Sequence, residues 1–226
     1  MKKFKIGMLL FPDLTILDFT GPYDVFIRAA CFEVYTVSQN IQKIQAEGGL
    51  SVDADYSFDD CPQVDILFVP GGRGITPLLA NKAYHSFLQK QAAGAQYITG
   101  VCTGSLLLAA SGLLSGYQAT THWRSLELLR MFGVNAVDKR VVIDRNRITG
   151  GGITAGIDFG LVLTALIGGE NMAKTVQLIL EYNPEPPFQS GLPQKAEPHI
   201  LQMAMEITQP LFDSRIKLIQ QITGMK

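Results

Sequence analysis

Cys102 sits in Tyr97-Ile98-Thr99-Gly100-Val101-Cys102-Thr103-Gly104-Ser105, a β-prone run followed by G-x-C-x-G and then a helix-forming run. This is the pattern of a nucleophile elbow with sulfur in place of a serine hydroxyl. The flanking glycines fit, because the backbone of such a turn approaches itself closely. A helix starting just beyond the cysteine aims unpaired N–H groups and its positive dipole end at the sulfur. Both favour the thiolate, which is the nucleophilic form. Most free cysteines are inert core residues. The context separates Cys102 from Cys31 and Cys61, which lack it and are read as structural.

Three further places carry chemistry. Pro70-Gly71-Gly72-Arg73-Gly74 follows the apolar run Asp65–Val69. Amides exposed in a glycine-rich turn after a strand can face an anion or a developing negative charge, which makes Gly71 and Gly72 candidate binding residues. An ordinary tight turn explains the same residues equally well, and no Gly-Lys-Ser/Thr follows to make a P-loop. Asp18 lies among Ile16, Leu17 and Phe19. Desolvation there raises a carboxyl pKa, although an aspartate at a helix N-terminus is also a purely structural device. His122, in Ala119-Thr120-Thr121-His122-Trp123, is the histidine best placed to lie near a site. His85 falls in a surface helix and His199 at the start of the last one.

The elements that must position these residues alternate. The apolar run Phe4–Phe11 predicts a central parallel strand covered on both faces. Gly21-Pro22 predicts a helix to about Ala30, which leaves Asp18 in the connection before it. Strands are expected at Phe32–Val37, Asp65–Val69, Gln96–Val101, Val141–Ile143 and Arg147–Thr149. Helices are expected near 76–80, 83–93, 103–113, 153–167 and 171–182, with a last one at 199–222. Residues 41–60 read as a hairpin or excursion from the main sheet. Pro184, Pro186, Pro187, Pro193 and Pro198 make an extended strap between residues 183 and 198. The order means an α/β fold, doubly wound, with a mostly parallel sheet and helices on both faces. Residues 1–182 form the α/β domain, and 183–226 are a strap and helix packed on it. Sites in such sheets gather at the carboxyl ends of strands, where Asp18, the Gly71–Gly72 turn and Cys102 all fall.

Composition excludes some classes. A formal net charge of -1 and the lack of a basic run argue against a nucleic-acid partner. No apolar stretch reaches the roughly 18 to 20 residues of a membrane span. The run after Met1 is short and broken by Pro12 and Asp13, unlike a signal peptide. Three cysteines without C-x-x-C spacing suit neither a disulfide framework nor zinc. A reducing cytoplasm is the expected compartment.

Taken together, ILDFTGPYDVF, FVPGG, GVCTGSLLLAASGLL, ATTHW and TGGGITAGIDFGL resemble the ThiJ/PfpI superfamily, whose fold is similar to that of class I glutamine amidotransferases. The resemblance covers residues 4 to about 182 and is nearest to the isonitrile hydratase branch, with Cys-Thr-Gly at the elbow, Asp as the acid and a Pro-rich C-terminal segment. It implies a flavodoxin-like fold, an isonitrile as small-molecule substrate, a formamide product and no metal or organic cofactor. By position it implies Cys102 as nucleophile, Asp18 as acid/base and Thr103 as a hydrogen-bonding partner that orients Asp18 or substrate, with Gly71, Gly72 and His122 lining the site. Protease-like members carry His where this chain has Thr103. Regulators of the superfamily carry an added helix-turn-helix region, for which the tail beyond Pro198 is too short. Other cysteine chemistry (amidase-like or glyoxalase-like), a redox-stress role and a ligand-sensing role are the alternatives. Similar proteins pair through elements flanking the sheet, so a homodimer is expected.

Overall fold

Strand β1 (Phe4–Leu9) is an interior strand of a seven-stranded sheet. The structure is a computed structural model that describes residues 3–225. Ile6, Met8 and Leu9, with Leu10 and Phe11 just beyond, are sealed from solvent, each contributing roughly 1.5–3 kcal/mol of hydrophobic stabilisation. Helix α1 (Ile16–Arg28) leads to β2 (Phe32–Ser38) on one side of β1. The chain then leaves the sheet in a small antiparallel hairpin, β3 (Ile44–Gln45) and β4 (Ser51–Val52). It returns through edge strand β5 (Tyr56–Ser57) and crosses to β6 (Ile66–Val69) on the other side of β1. Helices α2 (Ile75–Leu78) and α3 (Lys82–Gly94) precede β7 (Tyr97–Val101), and α4 (Gly104–Ala110) follows it.

Short strands β8 (Gln118–Ala119) and β9 (Asn135–Ala136) pair with each other around α5 (Leu126–Met131). Strands β10 (Val141–Asp144) and β11 (Arg147–Gly150) complete the sheet in the order β10-β11-β7-β6-β1-β2-β5. Within this sheet, among the described residues, only the β10–β11 pair is antiparallel. Helices α6 (Ala155–Gly168) and α7 (Glu170–Ile179) pack with α1 on one face. The other face carries α2 to α5 and the long helix α8 (Pro198–Thr223), which packs against α2 and α5. Between the α1/α6 layer and the sheet, Phe26 meets Phe68 and Phe159 edge-on, with ring centroids 6.2 and 6.4 Å away. This is the α/β architecture expected from the alternation of strands and helices.

The expected elements shift at one important place. Helix α1 begins at Ile16, well before Gly21-Pro22, and Pro22 lies inside it. Asp18 therefore occupies the first turn of a helix and is not in a connection. Pro22 is the seventh residue of the helix, so its missing N–H leaves the Asp18 carbonyl without its helical partner, and a small neighbour admits the ring. Gly156 of α6 supplies that room, since a Cβ there would come within 3.1 Å of the Pro22 ring. His85 also departs from expectation. It is half-buried in α3, its Nε2 is sealed without a partner, and burial lowers its pKa.

Candidate active site

The strand order reverses direction between β1 and β6, and in open α/β sheets the crevice at such a switch point receives ligands. Asp18 comes from the helix after β1, Gly71 and Gly72 from the turn after β6, and Cys102 from the end of β7. The sheet thus brings Asp18, Gly71, Gly72, Cys102 and Thr103 together.

Cys102 has φ 52°, a left-handed conformation that costs a non-glycine residue about 1–3 kcal/mol. The turn is held from both sides. The Cys102 N–H donates to the carbonyls of Gly150 and Gly151 at 3.0 and 3.1 Å, and the Thr121 hydroxyl donates to the Cys102 carbonyl at 2.7 Å. Two glycines keep space around the sulfur. A Cβ on Gly71 would sit 2.7 Å from the Thr103 nitrogen and 2.8 Å from both Asp18 Oδ2 and Cys102 Cβ. A Cβ on Gly152 would sit 2.7 Å from Cys102 Sγ and 2.8 Å from His122 Cδ2. Gly71 lets the acid approach the thiol, and Gly152 keeps the thiol's open side free.

Asp18 is fully buried and neither carboxylate oxygen has a well-aligned hydrogen-bond partner. Burial pushes its pKa up to about 7. Glu47 adds to the rise, while the Cys102 thiol and the Gly71 amide are near enough to offset part of it. The Cys102 thiol is pushed well above its ordinary value, first by burial and then by the Asp18 charge. The Thr103 amide and Arg215 pull the other way and lose. The expectation that the following helix makes Cys102 a ready thiolate is therefore corrected. Helix α4 is only seven residues long, and desolvation of the sulfur outweighs it. Two buried acids that each resist ionisation share a proton, so the pair carries one negative charge before it carries two.

The Thr103 hydroxyl accepts from the Gly72 N–H at 3.0 Å and faces the Gly72 carbonyl at 3.3 Å. Both of its contacts are to the glycine turn, beside Asp18 and the cavity where a role in orienting Asp18 or substrate is expected. For the same reason the Gly72 amide is not free to face substrate, whereas the Thr103 amide points at the sulfur. His122 lies on the cavity wall. Its Nδ1 accepts from the Arg124 N–H at 3.3 Å, which leaves the proton on Nε2. Burial, helped by Arg215 and Arg124, lowers its pKa to about 4, so the ring is neutral.

A cavity of about 610 Å³ opens from Cys102. Its wall also holds residues that the motifs did not reveal. Arg215, on α8, is buried, donates through Nη2 to the Gly72 carbonyl at 2.8 Å and through Nε to Thr76 Oγ1 at 3.0 Å. Burial lowers its pKa only to about 10, so it stays cationic. Glu47, from the β3–β4 hairpin, accepts from the Arg73 N–H at 2.8 Å and from the Thr15 hydroxyl at 3.2 Å at the cavity rim. Arg124 stacks on Phe212 at 3.7 Å. Arginine in the apolar periodicity of α8 was the available signal, but nothing in the sequence ties residue 215 to residue 102. Cys31 and Cys61 are buried and unbridged, and burial raises both thiols, Cys61 to about 11. Among the described residues no cluster of His, Cys, Asp or Glu could hold a metal ion, and no helix is long and apolar enough to cross a membrane.

A doubly wound α/β sheet with a cysteine elbow at its switch point, facing a buried carboxyl, defines a class of cysteine-centred α/β proteins. The chain belongs to the DJ-1/PfpI family, whose model matches residues 4–166. It is 44% identical to an isonitrile hydratase of Pseudomonas putida, over 96% of this chain and 95% of that protein. It is also 31% identical to the HTH-type transcriptional regulator GbdR of Pseudomonas aeruginosa, over 78% of this chain but only 50% of the regulator. A ThiJ/PfpI family protein from Pseudomonas syringae superposes with a TM-score of 0.94 at 37% identity, covering 97% of this chain and 91% of that one.

Proposed function

We propose that the protein is a cofactor-free isonitrile hydratase. The observation that carries the reading is the pairing of Cys102 with the buried Asp18, beside a histidine too weakly basic to take the thiol proton. The likeness to the Pseudomonas putida hydratase supports it. An amidase of the Cys–His kind needs an imidazole base, and His122, with a pKa of about 4, is a poor one.

The pair's single proton defines the chemistry. That proton rests on the Cys102 sulfur, the weaker acid of the two, with Asp18 as the carboxylate. Asp18 takes the thiol proton as the sulfur attacks the terminal isonitrile carbon, and delivers it to the same carbon. The carbon gains one C–S and one C–H bond and becomes a thioimidate. Asp18, now ionised, takes a proton from water as the hydroxyl adds to that carbon. The hydroxyl proton moves to nitrogen, the tetrahedral adduct collapses, and the C–S bond breaks. The products are an N-substituted formamide and the Cys102 thiolate, which takes back the proton from Asp18 and restores the starting pair. One carboxyl group acts as acid and then as base, as suits a pKa of about 7. Thr103 and Arg215 hold the Gly72 turn in register with the elbow. A reducing compartment such as the cytoplasm suits a mechanism that depends on a free thiol.

Purified protein incubated with cyclohexyl isonitrile should form the N-cyclohexyl formamide, followed by NMR, and Cys102→Ala should not. Absence of formamide with the unmodified protein overturns the reading.

A further inference from the structure

The cavity is much larger than an isonitrile group, and its charges are unbalanced. Arg73, Arg124 and Arg215 line it against one wall carboxylate, Glu47. Glu47 is the partner of Arg73. Arg124 and Arg215 donate hydrogen bonds only to neutral groups among the described residues, and the charges of Cys102 and Glu47 act on Arg215 without contact. Arg124 donates to Gln209 Oε1 at 2.7 Å and lies over the Phe212 ring, while its Nε is buried with no partner. Arg215 donates to a carbonyl and a hydroxyl. Burying a guanidinium without a counter-ion is costly, and such groups are ordinarily paired. The Cys102–Asp18 pair supplies one negative charge, which balances one of the two guanidiniums and leaves the other. The surplus therefore matches a single negative charge, which fits a carboxylate and is exceeded by a phosphate dianion. The rest of the lining includes the apolar side chains of Leu128, Ile153, Leu211 and Phe212.

We propose that the cavity selects isonitriles whose substituent ends in a carboxylate, with Arg124 and Arg215 holding the acid while Cys102 meets the isonitrile carbon. This rests on the hydratase reading for the reacting group, but the acid-binding end stands on its own residues. No covalent step is added to the mechanism.

The test is a ladder of ω-isocyanoalkanoates, each compared with its uncharged methyl ester. For at least one chain length the acid should exceed its ester in kcat/KM by about fivefold or more, the scale of one partly exposed ion pair. The preference should lie in KM and shrink with added salt. Arg124→Gln should lower the acid-to-ester ratio, and Arg124→Lys should restore part of it. Esters equal to or better than acids at every length would overturn the proposal. A second measurement does not need isonitrile turnover. Cys102 should alkylate faster with iodoacetate, relative to iodoacetamide, than a free small thiol does, and Arg124→Gln should remove the bias. A bias without any formamide formation retains the acid site and rejects the hydratase reading. Formamide formation without either bias does the reverse.

Discussion

Replacing Asp18 by Asn should make the protein more stable and nearly inactive, and the stability gain should depend on pH. An unfolded aspartate ionises near 3.8, whereas Asp18 in the fold ionises at about 7. Between these values the folded chain binds more protons than the unfolded one, so its stability falls as pH rises through the window. At about 1.4 kcal/mol per unit, the window is worth at most ~4 kcal/mol. Proton sharing with Cys102 lets the pair relax, so roughly 2 kcal/mol is the expected effect. Asn occupies nearly the same volume and does not titrate, so Asp18→Asn escapes the loss. For a chain of this size roughly 2 kcal/mol corresponds to a difference in Tm of about 4–8 °C. The assay is thermal melting of both proteins from pH 4 to pH 8, below the range where Cys102 contributes. The Tm difference should be smallest near pH 4, open across the window and level off above pH 7. Formamide production by the variant should fall by at least about a hundredfold, the usual worth of a general acid–base group. A Tm difference that does not vary with pH, or a fully active variant, would refute the reasoning.

Thr103→Val removes the hydroxyl that takes the Gly72 N–H and should cost about 1–3 kcal/mol; kcat should fall while iodoacetamide still reaches Cys102, and Thr103→Ser should keep most of both. Gly152→Ala should fold but slow Cys102 alkylation and turnover together, because its methyl group would fall 2.7 Å from Sγ; unchanged alkylation would mean the sulfur is approached from elsewhere. Cys31→Ala and Cys61→Ala should leave kcat near its original value, while Cys102→Ala abolishes turnover, and equal sensitivity at all three would remove the assignment. Leu178, Phe188 and Ile207 are more than three-quarters exposed, and we expect a homodimer to cover such residues, so light scattering at the monomer mass of 24.7 kDa would refute it.

The parts legible in the sequence were those set by local rules. The apolar run of β1, the G-x-C-x-G elbow and the two-glycine turn each state their conformation within a few residues, and the switch-point rule then places them at one end of the sheet. The start of α1 was obscured because Pro22 reads locally as a helix opening, while its tolerance depends on Gly156, more than a hundred residues away. The thiol's ionisation was misjudged for a related reason. A dipole can be read from sequence, but the depth of burial that outweighs it is a property of the assembled fold. Arg215 and Glu47 stayed hidden because their roles come from long-range packing of α8 and of the β3–β4 hairpin. For Thr103 the spacing cannot tell a hydroxyl turned toward Asp18 or a ligand from one turned toward Gly72.

Helix α8 lies wholly beyond residues 4–166, the stretch that the family model matches. The paired Cys102 and Asp18 lie inside that stretch, while Leu211, Phe212 and Arg215 of the cavity wall lie outside it. The α8 share of the cavity lining is therefore on a separable stretch of sequence. Descent can alter that share while leaving the pair intact, so relatives could acquire new tastes by exchanging or reshaping a terminal helix, without passing through an inert ancestor. The same separation offers a graft point for laboratory recombination. A chimera that takes its residues beyond 182 from a relative should keep Cys102 and Asp18 while changing the α8 share of the cavity lining.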